Sequence, residues 1–264
     1  MAIYERKIWE AKSMTETLHE ILMNSSDEDL QVLIDYQKCP DKFNYPNYNK
    51  AAKVLLLIEE IRTNGGNTFA NLIRGKGVEY DEVVRDVAKQ LKVNFHENAQ
   101  TDVIEMEIIK KLISDEFDKM SLEQKREILE TIGAEHAEAV IAAPAMLAGL
   151  LAARLSGFAI YKLAAIAANA IAKAVLGKGL AFAGNAALMK GIGVALGPVG
   201  WVATGAWLAF DLAGPAFRKT VPSVIHVALL RQKYRQNQLR KCDKCQTPLI
   251  AGTRFCAECG EPIK

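Results

Sequence analysis

Charge is scarce in the middle of this 264-residue chain: from Ala139 to Ala213 it is confined to Arg154, Lys162, Lys173, Lys178, Lys190 and Asp211. Such a stretch excludes an ordinary solvated surface and has to be covered by protein or by lipid. Cysteine is also sparse, with 5 in all, four of them in two CxxC pairs and Cys39 alone. Paired spacing of this kind argues against a secreted disulfide framework and for a metal site in a reducing compartment. The histidines, His19, His96, His136 and His226, are scattered without partners at metal-ligand spacing, and no GxSxG, HExxH or phosphate-loop motif occurs. Acid pairs such as Glu59-Glu60 and Glu105 with Glu107 read as solvated helix faces, so an enzyme is not expected. Over the first 135 residues no run of alternating β-branched residues argues for a sheet. The opening MAIYERKIWEAKSM lacks a basic segment followed by an apolar one, so export by the secretory route is not expected.

What is present divides by charge. Residues 1–138 hold 18 Lys+Arg against 27 Asp+Glu, a net of −9, and residues 139–264 hold 15 against 4, a net of +11. Halves of opposite sign suggest different surroundings. The acidic part reads as helices: Tyr4–Met23, Asp27–Tyr36 after Ser25 and Ser26 as cap candidates, Tyr48–Arg62, Glu79–Leu91 and Asp102–Met120. A further helix starts at the Ser121/Gln124 capping-box pair and runs to Gly133. Cys39–Asn47 reads as a loop, and Asn64-Gly65-Gly66 stops the third helix. The expectation is an all-α fold: a multi-helix domain over 1–135, an apolar Gly/Ala-rich helical segment over 136–220, a basic helix or linker over 221–241 and a small ribbon over 242–264.

Between Gly65 and Gly77 a glycine-bracketed stretch carries Asn67, Asn71 and Arg74. These form either a polar recognition patch, with Arg74 holding a carboxylate or phosphate, or caps for neighbouring helix ends. The run GGNTFANLIRGKGVEYDEVVRDVAKQLKV and the later GPVGWVATGAWLAFDLAGPAFRKTVPSVIHVALLR resemble the two best-marked blocks of the bacterial YaaW family of uncharacterised proteins, over roughly residues 50–232. That family is distantly grouped with ubiquinol–cytochrome c assembly chaperones, which implies an all-helical fold and a role near membrane complexes. This chain departs from the pattern in a longer Ala-rich segment at 138–176 and an appended cysteine module.

The apolar middle falls into pieces. Ala139–Ala153, interrupted by Pro144, is shorter than the roughly 20 residues that span a bilayer. Arg154, Lys162 and Lys173 fall on one face of the next helix. That stripe suits a membrane surface, or a buried helix whose lysines snorkel to water. Gly191–Phe210 is uncharged and long enough to span, and Gly193, Gly197, Gly200 and Gly205 give small positions for close helix approach. Gly179–Met189 completes a candidate hairpin, with Trp201 and Trp207 near an interface.

Beyond it, Arg231, Lys233, Arg235, Arg240 and Lys241 form a basic run without an acid. The positive-inside rule then places the exit in the cytoplasm. With Tyr234 as the run's one aromatic, nucleic acid is not an expected partner. Cys242-x-x-Cys245 and Cys256-x-x-Cys259 supply four thiolates, the ligand set of a closed structural Zn2+ site. The functional expectation is a non-enzymatic effector at the inner face of the cytoplasmic membrane. Its partners would be membrane lipid, further copies of itself, and a protein docked on the ribbon. The alternative is a soluble or peripheral assembly-chaperone-like adaptor.

Overall fold

The computed structural model describes residues 16–43, 48–65, 77–117, 119–131, 134, 137–143, 145–152, 157–180, 217–239, 241–245, 249, 254–256 and 259–263. Among them are ten α-helices and no strand: α1 (Leu18–Met23), α2 (Asp27–Gln37), α3 (Lys50–Gly65), α4 (Tyr80–Gln90) and α5 (Thr101–Phe117), then α6 (Leu122–Thr131), α7 (Ala137–Ala142), α8 (Ala145–Ala152), α9 (Gly157–Leu176) and α10 (Phe217–Gln238). The all-α expectation holds.

Local chemistry explains most boundaries. Ser26 and Asp29 cap each other's backbone at the start of α2, whose first turn carries Asp27, Glu28 and Asp29 at the positive end of the helix dipole. Lys38 closes α2 in the left-handed conformation (φ 55°), and part of the expected loop after it is a 3-10 turn, Pro40–Phe43. The expected capping box is present at α6: Ser121 N donates to Gln124 Oε1 (2.9 Å) and Gln124 N to Ser121 Oγ (3.2 Å). The third helix continues past Arg62 to Gly65. Asn64, read as part of the stop, donates from its side chain to Glu60 O and to Gln37 Oε1, both at 2.9 Å.

The core is organised by α10. Its residues from Thr220 to Gln232 are buried, and it packs against α1, α2, α3, α4, α5 and α9. A helix covered on all sides is a core element, and most of the helix expected over 221–241 belongs to it. One hydrophobic cluster runs from Leu18 to Leu230 and takes residues from all ten helices, crossing the expected boundaries at 135/136 and 220/221. Cys242, Leu249 and Cys256 form a second, separate cluster.

Helix α9 lies against α10, α5, α2 and α6. Ala164, Ala165, Ala167, Ala168 and Ala172 are fully buried, small side chains that let α10 approach closely. Lys162 and Lys173 of the expected stripe are half-buried, and Arg154 lies outside the described residues. The helix ends at Gly177 (φ 70°), and buried Asn169 accepts from Leu180 N (2.9 Å), turning the chain back. A Cβ on Gly157 would stand 3.3 Å from Gln236 Nε2. The start of α9 therefore meets the end of α10, and the two helices are antiparallel.

It follows that the end of α9 and the start of α10 lie at one end of the bundle. Lys178 pairs there with Asp35 (3.1 Å), Gln37 donates to Ser223 Oγ (2.8 Å), and Lys219 donates to Asn64 (3.3 Å). Arg62 Nε donates to Val78 O (2.9 Å) and Val78 N to Arg62 O (3.2 Å), which pins the chain on either side of residues 66–76. Gly65 and Val78, which flank residues 66–76, and the start of α10 thus lie at this end, whereas the chain after α9 has turned back from it by Leu180, beside Asn169 and Tyr161.

Candidate metal centre

The four expected ligand cysteines come together. The sulfurs of Cys242, Cys245, Cys256 and Cys259 all lie within 4.8 Å of one another, with Cys242 Sγ 3.6 Å from Cys259 Sγ and Cys245 Sγ 3.5 Å from Cys256 Sγ. None is in a disulfide. Four thiolates at about 2.3 Å from a tetrahedral ion stand roughly 3.8 Å apart, so the set fits a single metal ion. The second knuckle has a backbone reason. Gly260 takes φ 70° and its N–H donates to Cys256 O (2.9 Å), while Cys256 N donates to Glu261 O (2.8 Å) and Ile263 N to Arg254 O (2.9 Å). The strand-like bridge between Phe255 and Pro262 completes the turn. Cys242 and Cys256 are buried and Cys245 is exposed. The Glu261 backbone pulls the Cys259 thiol down, but burial and the thiols of Cys245, Cys242 and Cys256 together push it up to about 12. A metal ion takes its cysteine ligands as thiolates, so binding here displaces protons.

Asn67, Asn71 and Arg74 lie outside the described residues, as do Gly193, Gly197, Gly200 and Gly205.

Three cations of the expected basic run, Arg231, Lys233 and Arg235, meet acids in a polar cluster along α10, and Arg240 lies outside the described residues. Arg231, only 1% exposed, donates in bidentate fashion to Glu105, from Nε (2.7 Å) and Nη2 (3.0 Å). Tyr80 also donates to Glu105 (3.0 Å). Arg231 Nη1 donates to Glu16 O (2.5 Å), and Arg235 bridges Glu16 and Asp102 at 2.7 and 2.8 Å. Lys233 pairs with Asp29 (2.6 Å). Burial would raise the Glu16 carboxyl, but hydrogen bonds from Arg235 and its own backbone, with the charges of Arg235 and Arg231, bring it down to about 2. These groups are structural, and the signal for them was the opposite charge of the two halves: acids of the first half pair with cations of α10.

A relative from Helicobacter pylori strain J99, named a UPF0174 protein, is 36% identical over 225 residues, covering 83% of this chain and 86% of the relative. This chain belongs to the UPF0174 family. The UPF0174 protein YaaW of Escherichia coli K12 is 30% identical over 185 residues, covering 70% of this chain and 73% of that protein, so the YaaW resemblance holds. A UPF0174 protein of Helicobacter pylori strain 26695 is 38% identical over 183 residues, 67% of this chain and 87% of its own length. No family model and no solved structure matches.

Proposed function

We propose that this UPF0174 member is a non-enzymatic membrane-associated effector, in which a helical bundle offers the Gly/Ala-rich segment 181–216 to the inner face of the cytoplasmic membrane. The observation that carries this reading is the antiparallel pairing of α9 and α10. The end of α9 and the start of α10 stand at one end of the bundle, and the Gly191–Phe210 run that joins them in sequence has no charge. A segment rooted at both ends on one side crosses a bilayer an even number of times or lies upon it, which keeps bundle and ribbon in the cytoplasm. Gly193, Gly197, Gly200 and Gly205 would let such segments from several copies pack closely.

The ribbon follows the other end of α10. In this reading the four cysteines hold Zn2+, which supplies cross-linking and no reaction, because complete cysteine ligation leaves no position for substrate. The ribbon is then a folded docking module for a protein partner.

The soluble or peripheral adaptor is favoured by a specific observation of its own. Among the described residues, one helical window, Ala159–Leu176, is long and apolar enough to cross a membrane, and 67% of it is buried in the bundle. The two readings part on flotation of the full-length protein with liposomes, followed by alkaline carbonate extraction. The effector floats and resists extraction, and deletion of 191–210 returns it to the dense fraction. Full-length protein that stays in the dense fraction overturns the membrane reading and leaves the adaptor.

A further inference from the structure

The packing of α10 on α2 contains a buried imidazole with no use in the bundle. His226 is 1% exposed, and neither of its ring nitrogens has a hydrogen-bonding partner among the described residues. An unpaired buried polar group costs about 1–3 kcal/mol, so an apolar residue at this point of α10 would hold the helices together better. The surroundings are specific. On α2, the Tyr36 ring stands edge-on to the imidazole at 6.1 Å, and Glu28, Asp29 and Val32 line a cavity of about 50 Å³ beside it. Tyr161 of α9, Leu180, and Leu229 and Lys233 of α10 complete the lining. A cavity of this size admits water and so gives the buried ring access to protons. The titratable and charged groups facing His226 are thus Glu28, Asp29 and Tyr36 from α2, Tyr161 from α9 and Lys233 from α10. The carboxylate best placed to take an imidazolium proton, Asp29, is already held by Lys233 at 2.6 Å and by Ser26 Oγ at 2.9 Å.

We propose that His226 and its cavity form an acid-sensitive latch, through which protonation of the imidazole loosens α10 from α2. The reading is independent of membrane insertion and stands whether or not segment 181–216 enters a bilayer. Its direction follows from linkage. Burial lowers the His226 pKa to about 4, against the pull of the Asp29 charge and backbone and with that of Lys233, whereas the opened helix pair exposes an ordinary histidine near 6.5. Between those values the open form takes up a proton that the closed form refuses. Opening is therefore favoured about tenfold per pH unit as pH falls from roughly 6.5 to 4, and the gain ends below the lower value. Glu16 and Asp29, whose carboxyls are held below their ordinary values, begin to contribute only at the acid end of this window.

Hydrogen exchange read by mass spectrometry, with rates corrected for intrinsic pH dependence, tests the latch on the full chain. Peptides over 27–37 and 217–238 lose up to about 300-fold in protection between pH 6.5 and 4, and the loss disappears in His226→Gln. Unchanged protection in the wild type, or equal loss in His226→Gln, overturns the proposal. Should His226→Gln fail to fold, the wild-type protein decides by carbon-13 NMR of labelled histidine: a resonance titrating near 4 supports the latch, and four histidines all titrating near 6.5 overturn it.

Discussion

Arg231 is the residue on which most of the polar interior turns, because it joins α10 to α5 through Glu105 and to the chain before α1 through Glu16. A buried pair is weak evidence of net stabilisation, since desolvation offsets its attraction, yet removing one partner strands the other. Glu105→Gln is therefore expected to cost about 3–5 kcal/mol in urea-induced unfolding, and the apolar double change Glu105→Leu with Arg231→Met much less. A double change that costs the sum of its singles would refute the coupling. Glu16 is separable by pH. Its folded pKa lies below the ordinary carboxylate value, so its contribution is full above about 4.5 and is lost as pH falls towards about 2. The thermal midpoint of Glu16→Gln should therefore lie below that of the wild type at pH 7 and converge with it near pH 2. Glu127 carries the opposite sign. Burial, with Glu123 and Glu130, raises its carboxyl to about 7, so Glu127→Gln should raise the midpoint above pH 7 and matter less in acid.

Among the elements, those legible from the sequence were the ones stopped or started by local chemistry. The Ser26 and Ser121 caps rest on neighbours within a few residues, and each CxxC pair on its own three-residue step. What was hidden depends on partners more than 100 positions away. Nothing near Arg231, Lys233 and Arg235 in the chain says that Glu105, Asp29 and Glu16 will neutralise them, so a core helix reads as a basic tail. Likewise the alanines of α9 read equally as lipid-facing or helix-facing until α10 lies against them. Glycines give a sharper test at this scale. A Cβ on Gly77 would overlap the Arg62–Thr63 backbone, whereas one on Gly149 in α8 meets nothing within 4 Å. Gly149→Ala should stabilise by up to about 1 kcal/mol through helix propensity. Gly77→Ala should destabilise by about 1–3 kcal/mol, as overpacked sites do, since the backbone it strikes is the one that pins segment 66–76. Equal midpoints for the two variants in denaturant would contradict this packing.

In the whole molecule, cooperativity should follow the two clusters. The ten helices share one continuous core, and acids of the first half meet cations of the second across α10, so the bundle is expected to melt in one transition. Among the described residues the ribbon has a core of Cys242, Leu249 and Cys256 with Cys259 and Ile263 packed against it, too small to offset the entropy of ordering its chain without a cross-link. Metal binding is then folding for the ribbon and leaves the bundle untouched. Chelation at neutral pH should abolish the slow exchange of the Cys256, Gly260 and Ile263 amides, whose hydrogen bonds close the knuckle. It should leave the helical circular dichroism and the bundle's melting temperature within a degree or two of the loaded protein. Cys256→Ser should reproduce the chelated state, because a hydroxyl is a poor replacement for a thiolate in a four-sulfur site. Under the proposed function, chelation leaves flotation with liposomes intact, since the apolar segment is rooted at the opposite end of α10, but it removes any protein bound through the ribbon. A bundle that melts with its metal would mean that ribbon and helices share stability across Leu239–Lys241, and the two ends of α10 would then no longer act independently.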